Sequence, residues 1–503
     1  MISRPGATPL SDKLVTMVML DGARPDVFDR LVAAGDLPTI SRHVLEPGGR
    51  VPATTVFPST TGIAYLPFLT GCYPGTCQVP GTRWMDVSRY QGRWMRDREH
   101  VRSYCGYQGG MLNSDVADSV LSIFDIEKDS TAICSPFTRG LGEGRHRLGV
   151  TRMVYGAAAH YNCNYEPLDR AVCSEMVEQA RRRPRFMFAV LPGIDGVAHL
   201  RHPEHPRVLD LYRRFDRDLG RYLAAVGSET DHLLMLVSDH GFSRIDRHVD
   251  IALALEDLGV PTLRHPVLWR RHPRAAVMVS GNASAQVYLA PGTPRSHRYP
   301  LSAIEDGEIE GVPKVVVDHL ANLEGVAFVA AVEGEDVVVV SASGRARITK
   351  KGNTIGYTPE TGDALGYGPA PQRHDSDGWL RATIDSPHPD GPVQLLQLFS
   401  SHRTGDLIVS AEPGTDLRSD WEFPEHKAGH GSLAADQMLC LAAFNRPVAG
   451  PIRAVDTFPM VLEHLGYGIP PGIDGRLHQR AVRRYGGTAV GRARIRSSSL
   501  QRQ

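Results

Sequence analysis

Five short segments carry side chains of the kinds that bind divalent metals or act as nucleophiles. They contain Asp21, Thr61, the pair Asp195 and His199, the pair Asp239 and His240, and His430. Carboxylate oxygens and imidazole nitrogens are common ligands of zinc and similar ions. A threonine hydroxyl becomes a nucleophile when metal coordination or a neighbouring base lowers its pKa. These residue types therefore suggest metal-assisted nucleophilic chemistry.

Each segment taken alone also has an ordinary structural explanation. An isolated Asp-His pair fits a surface turn, and a histidine between glycines fits an exposed loop. A threonine before an apolar run, such as Thr60 or Thr61, fits a helix cap. Asp195 and His199 are four residues apart, which places both on one face of a helical turn, but Asp195 also suits a cap. The single segments leave both explanations open.

The elements around these residues form an alternating pattern. Short apolar runs typical of buried parallel strands occur at Leu14–Leu20, Phe186–Leu191, Leu233–Val237, Leu407–Val409 and Met438–Phe444. Helical periodicity occurs between and after them, at Arg207–Ala225 and Thr457–Leu465. The alternation predicts an α/β fold with a mostly parallel central sheet and helices on both faces. In such sheets ligands bind beyond the carboxyl ends of strands, where Asp21, Asp195 and Asp239 fall.

One region of the chain departs from this pattern. It contains a predicted helix at Pro313–Leu323 and a hairpin signal formed by Val326–Ala331 and Val337–Ser341. The last residues are rich in Arg, Ser and Gly, and we expect them to be disordered. The predicted division is a core at 1–260 and 393–478, an inserted α+β cap subdomain at 261–392, and a tail at 479–503.

Composition limits the classes of partner and compartment. Lys+Arg and Asp+Glu are both 56, so the formal net charge is zero and no nucleic-acid or anionic-membrane surface is indicated. The seven cysteines show no two-residue spacing, which favours reduced thiols over a Cys72–Cys77 bridge. No apolar run is long enough to span a bilayer, and Leu14–Leu20 ends at Asp21 without a cleavage site. We therefore expect a cytoplasmic protein.

In their order along the chain, these segments resemble the alkaline phosphatase superfamily, and most closely its type I phosphodiesterase/nucleotide pyrophosphatase branch. The similar segments are Met19–Asp26, Phe57–Thr61, Leu69–Gly71, Tyr73–Gly75, Asp195–His199, Ser238–Gly241, Gly429–Gly431, Arg453–Thr457 and Gly472–Arg476. They are scattered over residues 14–476, while the region 260–400 contributes none. As a set they are specific, and they imply an alkaline phosphatase-like core.

The resemblance implies a role for each residue. The family nucleophile stands ten residues before the glycine that corresponds to Gly71, which selects Thr61 and not Thr60. Two divalent ions are implied, with zinc expected and manganese or iron as alternatives. One ion would take Asp195, His199 and His430, and the other Asp21, Asp239 and His240, with the Thr61 oxygen between them. The implied reaction forms a phospho-threonine, which water then hydrolyses.

The implied activity is hydrolysis of a small-molecule phosphodiester or pyrophosphate. One departure weakens the diesterase assignment, because the branch has an asparagine three residues after the nucleophile and this chain has Ala64. The glycine that usually precedes the metal-binding histidine is also replaced, by Ala198, with the spacing kept. Arg83 and Asn113 are the candidates for substrate binding in place of the missing amide.

Three alternatives stay open beside this hypothesis. The first is a phosphomonoesterase or phosphonate hydrolase with the same two-metal site. The second is an isomerase of the cofactor-independent phosphoglycerate mutase type, although that family uses a serine where this chain has Thr61. The third is a binding protein without activity, against which the retention of every implied ligand argues. The sequence does not indicate an oligomeric state.

Overall fold

The computed structural model describes residues 13–93, 97–106, 108–228, 230–264, 270–418 and 424–478. The predicted disordered tail, 479–503, lies outside the described residues. None of the helices in the described ranges has the length and apolar character needed to cross a bilayer.

A seven-stranded sheet contains most of the strands predicted from apolar runs. Its spatial order is Gly49–Arg50, Ala442–Phe444, Asp231–Val237, Lys13–Leu20, Phe186–Leu191, Ser130–Ile133 and His146–Arg147. The last five of these strands are parallel to one another, whereas the first two are joined by antiparallel pairing. Lys13–Leu20 lies in the middle and is buried from Leu14 onward, which explains its continuous apolar sequence.

A second sheet has nine strands, most of them antiparallel. Its order is Thr262–Arg264, Ala275–Ser280, Ser284–Leu289, Leu407–Ala411, Val326–Glu333, Asp336–Ser341, Gly344–Lys351, Thr354–Gly362 and Gln372–His374. The predicted hairpin is confirmed, since Glu333 pairs with Asp336 at its turn.

The prediction for Leu407–Val409 as a strand of the parallel sheet is wrong. The strand Leu407–Ala411 lies inside the nine-stranded sheet and pairs antiparallel with both of its neighbours. Its residues are all buried, and a short buried apolar run has the same appearance in either kind of sheet. Ala442–Phe444, from the run Met438–Phe444, is likewise antiparallel to its neighbour.

Three small sheets bring loops toward the same region of the molecule. One contains Gly414–Asp416, Ser243–His248 and Ala428–Gly429. The others pair Ile452–Arg453 with Ala53–Thr54, and Arg83–Met85 with Val101–Ser103.

Helices occur mainly between the strands of the first sheet. The α-helices are Pro25–Ala33, Pro38–Ile40, Leu66–Thr70, Leu112–Asp115, Ile123–Ile126, Gly149–Asn162, Glu166–Arg182, Gly193–Arg201, Pro206–Val226, Ile251–Asp257, Leu301–Glu305, Val316–Ala321, Ser376–Thr383, Gly391–Phe399, Ala435–Met438 and Thr457–Leu465. The helix predicted at Arg207–Ala225 spans Pro206–Val226, with the apolar side of its periodic pattern buried. The helix predicted at Pro313–Leu323 is shorter, at Val316–Ala321.

An apolar cluster connects the segment around the threonines to the nine-stranded sheet. Val56, Phe57 and Ala64 pack in one cluster with Phe328 and Val337 of the nine-stranded sheet. The α/β class is thus confirmed, with mixed sheets. The boundaries of an inserted subdomain at 261 and 392 stay a prediction, and the nine-stranded sheet also includes the later strand Leu407–Ala411.

Candidate active site

Three buried side chains meet where two adjacent strands of the seven-stranded sheet end. Asp21 follows Lys13–Leu20, while Asp239 and His240 follow shortly after Asp231–Val237. Because these strands are parallel neighbours, their carboxyl ends lie at one edge. One ligand atom of each side chain lies within 4.8 Å of the other two, and the cluster can hold a metal ion. We call these three residues the inner group.

A glycine allows this close approach. Gly22 has a φ of +68°, a conformation that favours glycine, and its amide donates a hydrogen bond to Asp239 Oδ1 at 3.1 Å. A Cβ atom at this position would lie 2.7 Å from the ring of Phe242. The glycine after Asp21 is therefore required by both backbone conformation and space.

A second cluster, the outer group, consists of Asp195, His199 and His430. The first two lie one turn apart on the helix Gly193–Arg201, and His430 follows the short strand Ala428–Gly429. Asp195 Oδ1 lies 3.4 Å from His199 Nε2 and 3.6 Å from His430 Nε2. One ligand atom of each of these side chains also lies within 4.8 Å of the other two, so the cluster can hold a second metal ion.

All three histidines are oriented by the backbone. Their Nδ1 atoms face carbonyl oxygens, with His199 at 2.9 Å from Ala428, His240 at 2.9 Å from Gly241 and His430 at 2.8 Å from Ser59. A carbonyl only accepts, so each Nδ1 carries the hydrogen and each neutral ring has its lone pair on Nε2. Metal-binding histidines commonly have such a second partner.

The carboxylates also fit cations. Asp195 Oδ1 and Asp239 Oδ2 are buried and accept no hydrogen bond of normal geometry from the described residues. Burial, with the charges of Asp239 and Asp195, raises the pKa of Asp21 well above its usual range. Burial and the charge of Asp195 raise the pKa of Asp239 to about 7. Because ionised carboxylates at these positions require nearby positive charge, the residues present fit two divalent ions.

Thr61 contacts the inner group directly. Its Oγ1 lies 2.9 Å from His240 Nε2 and 3.3 Å from Asp21 Oδ1. The neighbouring Thr60 hydroxyl is buried and has no hydrogen-bond partner among the described residues. The structure thus brings Thr61, and not Thr60, within hydrogen-bonding distance of two inner-group residues.

The chain was compared with known proteins. The family model described as "Type I phosphodiesterase / nucleotide pyrophosphatase" matches residues 15–433, which is most of the chain. The chain belongs to this family. The prediction of an enzyme that hydrolyses phosphoric esters is therefore confirmed at the level of the family. Comparison with curated proteins finds no match.

Several solved structures of other proteins share the fold of this chain at low sequence identity. A phosphonoacetate hydrolase from Sinorhizobium meliloti 1021, in complex with phosphonoformate, is 18% identical with a TM-score of 0.54, over 92% of this chain and 98% of that one. Murine ectonucleotide pyrophosphatase/phosphodiesterase 5 is 15% identical with a TM-score of 0.52, over 93% and 98%. At such identities the likeness establishes the fold alone.

A cleft of about 350 Å³ opens beside the outer group. The nucleophile candidate and several polar side chains from distant segments line it, among them Thr61, Arg83, His160, Asn282, Arg418 and His426. Apart from Asp195, none of its described lining residues is acidic. The cleft is therefore suited to an anionic ligand.

The two predicted substrate-binding residues differ in location. Arg83 lines the cleft, where its Nη1 donates to the carbonyl of Val279 at 3.0 Å. Asn113 is not among the described residues that line it. Its Oδ1 accepts from the amide of Thr138 at 2.7 Å, so this side chain holds a loop together. Of the two candidates, Arg83 shares the cleft with Thr61.

Ala64 does not face the cleft. It is fully buried in the apolar cluster that includes Phe57 and Phe328. An amide at this position would enter an apolar environment. Any donor that replaces it comes from another segment.

Residues from other segments complete the site. Tyr65 donates its hydroxyl hydrogen to Asp21, and Asn282 belongs to a turn of the nine-stranded sheet that forms a bridge with His430. His426 precedes His430 by four residues, and this spacing was a signal available in the sequence. Asn282 had no comparable signal, because it comes from the region that resembles no family motif.

Proposed function

We propose that this family member hydrolyses phosphodiester or pyrophosphate bonds through a covalent phosphate ester on Thr61. One observation carries the proposal: Thr61 Oγ1 is the hydroxyl in contact with both His240 and Asp21 of the inner group. This places a nucleophile next to a ligand set suited to activate it. Small phosphate esters or pyrophosphates are the proposed partners.

In the proposed reaction, the side chains of this protein hold the ions and orient the reacting groups. The outer group would hold one ion and the inner group the other; we propose zinc, with manganese or iron as alternatives, because the donors are carboxylate and imidazole. Two such ions when bound supply activation of the hydroxyl and stabilisation of phosphate charge. Thr61 attacks phosphorus, the ester oxygen leaves, and water then cleaves the phospho-threonine. Backbone carbonyls hold the three histidine rings so that their Nε2 atoms stay available to the ions of the inner and outer groups.

A second candidate is a phosphomonoesterase or phosphonate hydrolase. Arg83 in the cleft favours it, because a monoester dianion needs additional positive charge around its third oxygen. One structural neighbour was solved as a phosphonoacetate hydrolase in complex with phosphonoacetate. Both candidates use the same nucleophile and differ in the charge of the substrate.

The ratio of kcat/KM for bis-p-nitrophenyl phosphate and p-nitrophenyl phosphate separates the two candidates. We expect a ratio above one for the metal-loaded enzyme, and a ratio clearly below one would replace the first proposal with the second. The variant Arg83→Met should reduce monoester turnover more than diester turnover, because only the monoester needs the extra charge. Arg89→Met, at a side chain that is 72% exposed, is the matched control.

We also propose a cytoplasmic location. All seven cysteines are free thiols, and six of them are buried. Reduced thiols in a chain of this length are typical of a reducing compartment. Labelling of the native and unfolded protein with a thiol reagent before and after reduction tests the thiol state.

A further inference from the structure

A histidine outside both ligand groups lies in the cleft, in contact with the outer group. His426 is buried, and its ring centroid lies 4.4 Å from that of His199, with 31° between the ring planes. His426 is the last ring in a series of ring contacts that begins beside Thr61, the proposed nucleophile. His240, which touches Thr61, stacks on His430 at 3.6 Å, and His430 lies 5.1 Å from His199. His426 is therefore several rings away from the attacking oxygen.

The protonated nitrogen of His426 is determined by its neighbours. Its Nδ1 lies 3.1 Å from Asn282 Nδ2 and 3.1 Å from Arg418 Nη2. A guanidinium has only donors. The Asn282 amide is oriented by the Asp416 carboxylate, which accepts from Nδ2 at 2.6 Å. Both neighbours therefore donate, Nδ1 is the acceptor, and the hydrogen of the neutral ring is on Nε2.

A buried carboxylate holds both donors in place. Asp416 is fully buried and accepts from Arg418 Nε at 3.0 Å and Nη2 at 2.7 Å, in addition to Asn282. Such a two-pronged contact fixes the guanidinium plane. The Nε2–H of His426 is thus oriented by three residues that belong to neither ligand group.

This Nε2–H is directed at a group that lines the same cleft. It lies 3.2 Å from His160 Nε2, on the helix Gly149–Asn162. Since His426 carries the hydrogen, His160 accepts at Nε2, and its own Nδ1 is 3.5 Å from the Tyr165 hydroxyl. His160 is half-buried and borders the cleft. A substrate oxygen that enters here can replace it as acceptor.

We propose that His426 donates a hydrogen bond from Nε2–H to the leaving-group oxygen of the substrate. In an in-line displacement the leaving oxygen departs on the side of phosphorus opposite the nucleophile. His426 is on the outer-group side, away from Thr61, so its donor suits that oxygen. The ring stays neutral, and no proton is transferred from it; the bond stabilises negative charge that develops as the ester bond breaks. This inference rests on the proposed function.

The test compares a series of aryl methyl phosphodiesters from 4-nitrophenyl to unsubstituted phenyl, with the matching aryl phosphomonoesters in parallel. A donor to the leaving oxygen matters most when that oxygen holds the most charge, as in the phenyl ester. We expect His426→Phe to lower kcat/KM for the phenyl ester by about tenfold to a hundredfold, and for the 4-nitrophenyl ester by far less. For His426→Phe, kcat/KM should therefore fall more steeply with increasing leaving-group pKa than it does for the wild-type enzyme.

A matched pair of variants isolates the hydrogen bond from the shape of the side chain. His426→Gln keeps an N–H donor and should preserve the wild-type dependence, whereas the isosteric His426→Glu only accepts and should steepen it. If His426→Phe does not fold, the comparison of His426→Gln with His426→Glu still tests whether the donor is used. His43→Phe, at an exposed position, is the control for histidine loss in general. Metal content is measured for every variant.

Two outcomes overturn the inference. An equal loss across the ester series would show that His426 acts on the fold or on general binding. Equal slopes for His426→Gln and His426→Glu would show that the donor is not used. A wild-type enzyme that cleaves neither series would instead reject the proposed function, and the inference with it.

Discussion

The inner and outer groups are alike in composition but differ in origin, exposure and charge. The inner group has two aspartates and one histidine at strand ends of the seven-stranded sheet, and its side chains are at most 1% exposed. The outer group has one aspartate and two histidines from a helix and a loop, and the Asp195 side chain is 15% exposed. Burial of Asp195 is outweighed by its contact with His199, which lowers the pKa of this carboxyl, whereas burial dominates at Asp21 and Asp239 and raises their pKa values.

The two groups should therefore differ in how strongly they bind a cation. The inner group has more negative charge and less solvent, so it gains more free energy from a bound cation. The outer group is closer to neutral and opens onto the cleft. We therefore expect the inner ion to be retained with the nucleophile, and the outer ion to exchange more readily.

The largest expected effect is at Thr61, the proposed nucleophile, which contacts the inner group. Thr61→Ala should lower kcat for bis-p-nitrophenyl phosphate by at least about a thousandfold, because it removes the covalent acceptor of phosphate. Thr60→Ala is the control, since its hydroxyl has no hydrogen-bond partner among the described residues, and it should stay within about tenfold of wild type. Equal losses in the two variants would mean that Thr61 is not the nucleophile.

The next prediction tests the two groups as metal sites. Elemental analysis of the native protein should find two divalent ions per chain. Limiting chelator should remove the outer ion first, because the outer group is more exposed and less negative. His199→Gln should keep about one ion per chain and lose about a hundredfold or more in rate. Full activity in excess chelator, or loss of both ions in one step, would contradict the comparison.

A pH effect concerns the helix that carries two outer-group residues. Asp169 accepts from the amide of Gly193 at 3.1 Å, at the start of that helix, and burial raises its pKa to about 8. The folded protein keeps this proton up to that pH, whereas the unfolded chain loses it near pH 4. The protonated Asp169 carboxyl therefore contributes its full stability to the folded wild-type protein below pH 4. This contribution falls as the pH rises and is lost as the pH passes through 8.

Asp169→Asn removes the ionisation and keeps an acceptor for Gly193. The free energy of unfolding of this variant should rise relative to wild type by roughly 2.6 kcal/mol between pH 5 and pH 7, as measured by urea denaturation. The control is Asp210→Asn, whose side chain is 56% exposed. If the unfolding free energies of Asp169→Asn and wild type differ by the same amount at every pH, the Asp169 carboxyl is not protonated in the folded state.

The smallest expected effect concerns a partner of the inner group. Tyr65 donates to Asp21, and Tyr65→Phe removes this donor while the ring keeps its edge contact with Phe188. We expect about a tenfold loss of kcat with both ions still bound, as is usual when a ligand loses its second hydrogen bond. An unchanged rate would mean that the bound cations alone orient Asp21.

The α/β class, the strand before Asp21 and the long helix at Pro206–Val226 could be predicted from the amino-acid sequence. The residues of the two groups that could hold metal ions were also predicted from the sequence, because each lies beside a strand end, a glycine or a helical turn that the local pattern indicates. Strand direction was not determined, as Leu407–Ala411 shows, because burial on both faces gives one pattern in parallel and antiparallel sheets.

Which side chains line the cleft became evident from the tertiary structure. Arg83, Asn282 and His426 are far apart in the chain, and no periodicity relates them. They meet because small sheets and one turn of the nine-stranded sheet bring their loops to one cleft. The same packing placed Ala64 in the apolar cluster and Asn113 in a separate loop. Local sequence encodes local backbone and burial, whereas the lining of a cleft depends on contacts between distant segments.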